Sequence, residues 1–474
     1  MYAADVGDPL DYNIYGVHPF YMDTRYYEVE EKTGKKTLVT NQKVDQKTNY
    51  ISFNHGVYLR NVHPQEVVLN TTSITWRTLG GSIELYFFDG PAVQDLTSQY
   101  HSVIGMPAMQ QYWTFGYHQC RWGYTNWTEL QDVVDNMKHF NIPLETIWTG
   151  KSCTNLSCTN TNICRDIDYM KSYRDFENDP IRFGYPEGKD FLSQLHANGQ
   201  HYIPIVDSAI YIPNPLNESD AYPVYNRGND SGAFVRNVDL EQYIGAVWPG
   251  YTVFPDWRAP GAQAWWTEEM QTWHDNVDWD GIWIDMSEVS SFCLGSCGNG
   301  HVQDNPVHPP FQLPGETNNV IYGYPTDFDQ TNKTQWASVL SASSAQASRI
   351  SATQTPAPSP ATTTPYLRTT PTPGVRNVTY PPYVIKNANG ALGNHALSPD
   401  AVHADGTQDY DMHNLFGHDI INNTYNALLQ VNPGKRPFII GRSNFAGSGS
   451  QAGHWGGDNA ADWIYMYMSI PQAL

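Results

Sequence analysis

Positive charge is scarce in this chain. Its 27 Lys and Arg face 48 Asp and Glu, giving a formal net charge of −21, and charged residues are only 16% of the sequence. A phosphate backbone is bound through clustered cations, so nucleic acid is not an expected partner. Long apolar runs are missing as well. No stretch of about 18 apolar residues occurs, so no membrane-spanning helix is expected and no membrane partner. No G-x-G-x-x-G follows an early strand, and the late GSGSQAG has the wrong spacing for a dinucleotide fold. The first residues, MYAADVGDPLDYN, contain no apolar signal region, so either the protein is intracellular or its true N-terminus lies upstream. Cysteines number six. Cys293 and Cys297, in CLGSC, can close a short loop as a disulfide. Cys153, Cys158 and Cys164 crowd one irregular segment, and Cys120 falls in an expected strand, buried and outside any disulfide.

Aromatic residues, by contrast, are abundant: 15 Trp, 31 Tyr and 17 Phe. Flat faces with few charges suit neutral, polyhydroxylated ligands such as sugars, but large β-rich domains also bury many aromatics. Asn-X-Ser/Thr occurs at Asn70, Asn126, Asn155, Asn217, Asn229, Asn332, Asn377 and Asn422, a density that points to a glycosylated, secreted chain.

Residues 1–100 read as strands: HPFYMDTRYYEV, GVYLRNV, SITWRTL and SIELYFF alternate in polarity between Gly and Asn breaks. From about residue 101 apolar strands alternate with amphipathic helices. FGYHQC is followed by NWTELQDVVDNMKHF and LETIWT. HYIPIVD is followed by AQAWWTEEMQTWHDN and GIWID, and later come HNLFGHDIINNTYNALLQ and PFIIG. This alternation implies an α/β fold with a parallel sheet, and the number of units favours a (β/α)8 TIM-type barrel over a doubly wound sheet. The expected domains are 1–100, the C-terminal part of an N-terminal β-sandwich, and 101–474, the barrel. Insertions are expected at about 208–256 and 290–400. Within the second, the Ser/Thr/Ala/Pro-rich 338–373 cannot bury enough apolar surface to order itself and reads as an exposed, O-glycosylated loop.

In a barrel the C-terminal strand ends form the active face. The strand GIWID ends there on Asp285, and Asp458 follows PFIIG in GHWGGDN. Two carboxylates from different strand ends, among Trp283, Trp455 and Arg442, suit glycoside hydrolysis: one attacks the anomeric carbon and the other protonates the leaving oxygen. A single such Asp is more often a hydrogen-bonded loop acid; several at strand ends are harder to explain that way.

GIWIDMSE matches the W-x-D-M-N/S-E signature of glycoside hydrolase family 31, which the chain resembles along its whole length. The resemblance continues through YGVHPFY (15–21), HQCRWGY (118–124), DIDYM (166–170), VWPGYTVFPDW (247–257) and GRSNFAGSGSQAGHWGGDN (441–459). MSEVSSF, CLGSC and the Ser/Thr/Pro insertion are most similar to the family's extracellular α-glucosidases of filamentous fungi. The resemblance implies a retaining α-glucosidase acting on maltose, malto-oligosaccharides and starch ends, without cofactor or metal. Asp285 matches the nucleophile and Asp458 the acid/base. Asp166 and Arg442 match residues that hydrogen-bond the non-reducing glucose. Trp122, Ile167, Ile205, Trp248, Trp283, Met286, Phe292 and Trp455 match the apolar wall of that pocket. Asp5 matches, by its spacing to NIYG, an aspartate reaching in from the N-terminal domain. Glu288 is expected as an anchor behind the site, and His118 and His454 as scaffold.

The chain departs from the family pattern in three places. It is expected to be incomplete at both ends: it begins inside the β-sandwich and stops after about the sixth barrel strand, in the helix after Asp458, leaving apolar faces uncovered. The family's IWTDIDYM is also interrupted by residues 150–165, GKSCTNLSCTNTNICR. These read as a retained intron, since Gly-Lys-Ser can be encoded with a GTAAGT donor and excision restores Thr-Asp in frame. A loop insertion is the other reading; spliced transcripts retaining the codons would select it. Three functional alternatives stay open: a sugar-binding or inactive piece without turnover, an α-xylosidase, and a transglucosidase. The K-x-D-F-G-E form of xylosidases is less similar to this signature.

Overall fold

The computed structural model describes residues 1–5, 15–40, 50–121, 123–149, 167, 169–307, 367–387, 389–459 and 463–473. The segment 150–165, Trp122, Asp166 and residues 338–366 lie outside the described residues.

The alternating N-terminal segments form antiparallel sheet. β1 (Phe20–Val29), β2 (Lys36–Leu38) and β3 (Tyr50–Leu59) come first. β4 (Gln65–Leu69) and β5 (Ile74–Thr78) make a separate ribbon, and β6 (Leu85–Phe88) returns to the first sheet, whose order is β2-β1-β3-β6. β1 and β3 pair from Phe20↔Tyr58 to Glu28↔Tyr50, which sets one apolar face toward the interior. That face is covered by α1 (Val93–Ile104), a helix that the strand-rich reading of residues 1–100 did not include. Its Leu96 is buried with Tyr58 and Phe88, and Tyr100 stacks on Phe20 at 4.1 Å. Tertiary packing of a few apolar positions, more than local propensity, accounts for this helix.

The barrel strands are β7 (His118–Gln119), β8 (Thr146–Thr149), β9 (His201–Asp207), β13 (Ile282–Asp285), β14 (Ile439–Gly441) and β15 (Gly453–His454). All neighbours pair in parallel, and their spatial order repeats their chain order without reversal. A doubly wound sheet reverses at a switch point; a barrel winds in one direction. These six strands form a curled part of a (β/α) barrel. Ile282 to Asp285 are all buried, the mark of a parallel strand covered on both faces.

The helices flank this wall. α2 (Trp127–His139) begins at Asn126, whose Oδ1 accepts from the Glu129 amide at 2.8 Å, an N-cap. α3 (Tyr185–Ala197) packs on β9, and α4 (Pro223–Asp230) lies in the following insertion. α5 (Ala262–His274) buries Trp265, Trp266 and Trp273; Trp266 Nε1 donates to Thr424 Oγ1 of α6 (Phe416–Val431) at 3.0 Å. Gly441 lets α6 approach β14, because a Cβ there would stand 2.6 Å from the Ile421 side chain. Residues 208–256, read as an insertion, carry a separate antiparallel sheet of β10 (Ile210–Tyr211), β11 (Gly245–Val247) and β12 (Gly250–Val253). Cys293 and Cys297 form a disulfide beyond β13, and Cys120 is half-buried just after β7. The final helix, α7 (Trp463–Ala473), exposes Trp463, Met466, Tyr467 and Ile470.

Candidate active site

Register builds the centre of the site. Asp285 ends β13 opposite Asp207, the last residue of β9, while Ile284 pairs with Gly441. The residue after Gly441 therefore stands beside Asp285. It is Arg442, whose amide donates to the Ile284 carbonyl at 3.0 Å. Arg442 is fully buried. Its Nε and Nη2 donate to the two Glu288 oxygens at 2.9 and 2.7 Å, Nε lies 3.1 Å from Asp285 Oδ1, and Nη2 lies 3.3 Å from Asp5 Oδ1. Met286 Sδ, 3.0 Å from Nη2, and the Tyr15 ring, 4.6 Å from the guanidinium, complete its surroundings. Burial opposes the charge of Arg442, but the carboxylates of Asp285, Glu288 and Asp5 outweigh it and hold the guanidinium charged.

One cation thus serves three acids. Burial pushes the Glu288 carboxyl up to about 7; Arg442 pulls against that shift, while the charges of Asp5 and Asp285 add to it. The turn after β13 is strained: Met286 and Val289, both non-glycine, have φ of 53° and 56°. Surrounding bonds hold it, with Ser208 Oγ donating to the Met286 carbonyl at 2.8 Å and the Leu397 amide to the Val289 carbonyl at 3.1 Å.

Asp458 follows β15 in the Gly-rich turn and is 8% exposed. It lies within electrostatic reach of Tyr15, whose phenol is raised by burial first and by Asp458, Asp5 and Glu288 in addition, against the pull of Arg442. Asp458 of the β15 turn and Glu288, which follows β13, thus both act on the Tyr15 phenol. His454 and His118, read as scaffold in the sequence, both have hydrogen-bond partners within the fold. His454 Nδ1 lies 2.5 Å from Asn444 Nδ2, and the Asn444 oxygen faces His18. His118 Nδ1 accepts from Trp148 Nε1 at 2.9 Å, so its Nε2 donates to the Thr114 carbonyl.

The expected apolar residues that the structure describes belong to one hydrophobic cluster or pack against it. Trp283 and Trp455 pack with centroids 4.2 Å apart, Ile205 is the register partner of Trp283, and Trp248 meets Phe292 edge-on at 5.1 Å. Ile167 and Met286 are buried. Three donors here, Arg442 Nη1, Trp283 Nε1 and Trp455 Nε1, are buried with no hydrogen-bond partner among the described residues. Unmet buried donors are costly, so each of the three can donate to an acceptor that a ligand brings.

Asp5 reaches the site: its Oδ2 also accepts from Ser290 Oγ at 2.8 Å. Two residues found here were not singled out in the sequence. Tyr15 lies within the quoted YGVHPFY, but a tyrosine there carries no sign of its contact with Arg442. Asp207 carried the same signal as Asp285, an apolar strand ending on Asp. Its amide donates to the buried Asp175 Oδ1 at 2.9 Å.

An open (β/α) barrel with acids at its C-terminal strand ends is the class of architecture in hand. The chain belongs to glycosyl hydrolase family 31: the model of that family's TIM-barrel domain matches residues 107–474. Over its whole length the chain is 52% identical to an alpha-glucosidase of Aspergillus oryzae and 53% identical to an alpha-glucosidase of Aspergillus niger, spanning 46% of each. It thus spans about half the length of the curated relatives it matches. Among solved structures it resembles the glucosidase II alpha subunit, with a TM-score of 0.64 at 23% identity, covering 100% of this chain and 38% of that one. A family 31 alpha-glucosidase from Bacteroides thetaiotaomicron follows the same fold, with a TM-score of 0.57 at 19% identity, over 98% of this chain and 52% of that one.

Proposed function

We propose that this chain carries the catalytic carboxylates of a retaining α-glucosidase that removes terminal α-1,4-linked glucose from maltose, malto-oligosaccharides and starch ends. The observation that carries the reading is the trio of unmet donors, Arg442 Nη1, Trp283 Nε1 and Trp455 Nε1, with Arg442 in an ion pair with the strand-end carboxylate of Asp285. A glucose ring offers hydroxyl acceptors for the donors and a C–H face for the indoles.

In this reading the Asp285 carboxylate attacks C1 of the bound glucose. The C1–O bond to the leaving sugar breaks, and Asp458 gives that oxygen its proton. Asp458, now ionised, then takes a proton from water as the water oxygen attacks C1 and frees Asp285. Arg442 orients Asp285 through the ion pair at 3.1 Å. Asp166 and Asp5 are assigned to the glucose hydroxyls, with Arg442. Trp122, Ile167, Ile205, Trp248, Met286, Phe292 and Trp455 are assigned, with Trp283, to the wall that excludes water. Eight sequons and the Cys293–Cys297 disulfide support an extracellular setting.

The test is glucose release from maltose by the 474-residue chain beside an Asp285→Ala control. Release that vanishes in the control supports the reading. Maltose-dependent thermal protection without release supports sugar binding without turnover, and neither response in a folded chain refutes both.

A further inference from the structure

A buried row of alternating acids and histidines runs from the insertion after β12 to the first residues of the chain. Asp256 Oδ1 lies 3.1 Å from His403 Nδ1, and His403 Nε2 lies 3.6 Å from Asp409 Oδ1. Asp409 Oδ2 is 2.9 Å from His413 Nδ1, and His413 Nε2 is 2.8 Å from the carbonyl oxygen of Ala3, 410 positions away. None of these four side chains belongs to a residue more than 3% exposed.

Both ring nitrogens of His413 therefore face acceptors, a carboxylate on one side and a carbonyl on the other. A neutral imidazole has a single N–H and would leave one contact as acceptor against acceptor; only the imidazolium donates at both. Asp409 is its counter-ion. The other charged groups nearby are already engaged. Asp405 and Asp419 pair with Arg258 on the His403 side, and Asp411 pairs with His63 and Arg376.

His413 does more than meet one carbonyl. The Tyr2 ring stacks on it with centroids 4.0 Å apart, and the adjacent Asn414 accepts from the Ala3 amide at 2.8 Å while donating to the Val62 carbonyl at 2.9 Å. Residues 2 and 3 are thereby pinned to the residues that lead into α6. Two residues further on, Asp5 reaches Arg442 Nη2 and Ser290 Oγ.

We propose that His413, protonated on both nitrogens, is a positioning residue: by holding the Ala3 carbonyl it sets the reach of Asp5 onto Arg442. The step from Asp5 to substrate rests on the sugar-site reading above; the state of His413 does not. The experiment has two arms. In the full chain with nitrogen-15-labelled histidine, the His413 resonances are assigned by their loss in His413→Gln, and at neutral pH both nitrogens should show attached protons. One bare nitrogen overturns the proposal whether or not the protein turns over sugar.

In the second arm, His413→Leu should raise the KM for maltose about tenfold, the size expected for losing one charge-assisted contact, and raise it more than kcat falls. Asp5→Ala should do the same, and the double variant should be no worse than either single one. Additive losses, or an unchanged KM in a folded His413→Leu protein, overturn the proposal. If His413→Leu does not fold, the comparison is made with His413→Gln. If the wild-type chain binds maltose without turnover, the same comparison is read on the Kd. If it does neither, the sugar-site reading fails while the nitrogen measurement still decides the state of His413.

Discussion

Arg442 grips both carboxylate oxygens of Glu288, at 2.9 and 2.7 Å, across 154 positions of sequence. The same guanidinium lies 3.1 Å from Asp285. Glu288 thus takes the two-pronged bond and leaves Asp285 with an ion pair at its side. That division suits an acid that must stay ionised yet remain able to attack. A nucleophile held by both prongs would give up more of its basicity.

Removing Glu288 should accordingly destabilise the fold without removing all compensation of Arg442, because Asp285 and Asp5 remain. Glu288→Gln is expected to cost about 3 kcal/mol, the lower end for a broken buried pair. Arg442→Met leaves three acids facing one another and should cost more. Urea unfolding measures both; a loss under about 1 kcal/mol in Glu288→Gln would show that the pair contributes little.

The two catalytic assignments separate by leaving group. Asp458→Ala should slow maltose hydrolysis by about 10²–10⁴-fold, the range for general acid catalysis, and slow an activated aryl glucoside far less, since a nitrophenolate leaves without a proton. Asp285→Ala should abolish both. Equal losses on the two substrates in Asp458→Ala would reassign that residue.

Stability should fall as the solution becomes alkaline. Burial opposes the charge of His403, but the hydrogen bond to Asp256 and the Asp409 carboxylate 3.6 Å away overcome it and raise the imidazole from 6.5 to about 9. Folded protein then holds a proton that unfolded chain has released, so this contribution is complete below pH 6.5 and lost as pH rises through 9. The difference corresponds to about 3 kcal/mol. The raised Glu288 acts in the same direction lower down, since between about 4.5 and 7 the unfolded state ionises first. Thermal melts of His403→Gln across pH 6 to 9.5 should be flatter than those of the unaltered chain; parallel curves would refute the assignment.

Glycan occupancy should follow exposure. Asn70 and Asn377 are exposed, whereas Asn422 is half-buried and its Oδ1 accepts from Gln451 Nε2 at 2.8 Å. Mass spectrometry of chain secreted from a eukaryotic host should find glycan on the first two and none on Asn422.

The strands GIWID, HYIPIVD and PFIIG, the helices of NWTELQDVVDNMKHF and HNLFGHDIINNTYNALLQ, and the placing of Asp285 at a strand end were legible in short stretches of sequence. Apolar period and β-branched content act over a few neighbouring residues, and the WIDMSE motif is itself local. The order of the barrel strands, the sharing of Arg442 among Asp285, Glu288 and Asp5, the arrival of Tyr15 and the covering helix α1 were not. They depend on which strand lies beside which and in what register, a balance of packing summed over the whole core. The amino-acid order therefore determined what each segment is and which acids it offers. Only the tertiary structure decided that one buried arginine would answer for three of them, because charges far apart in sequence interact only when folding removes the water between them.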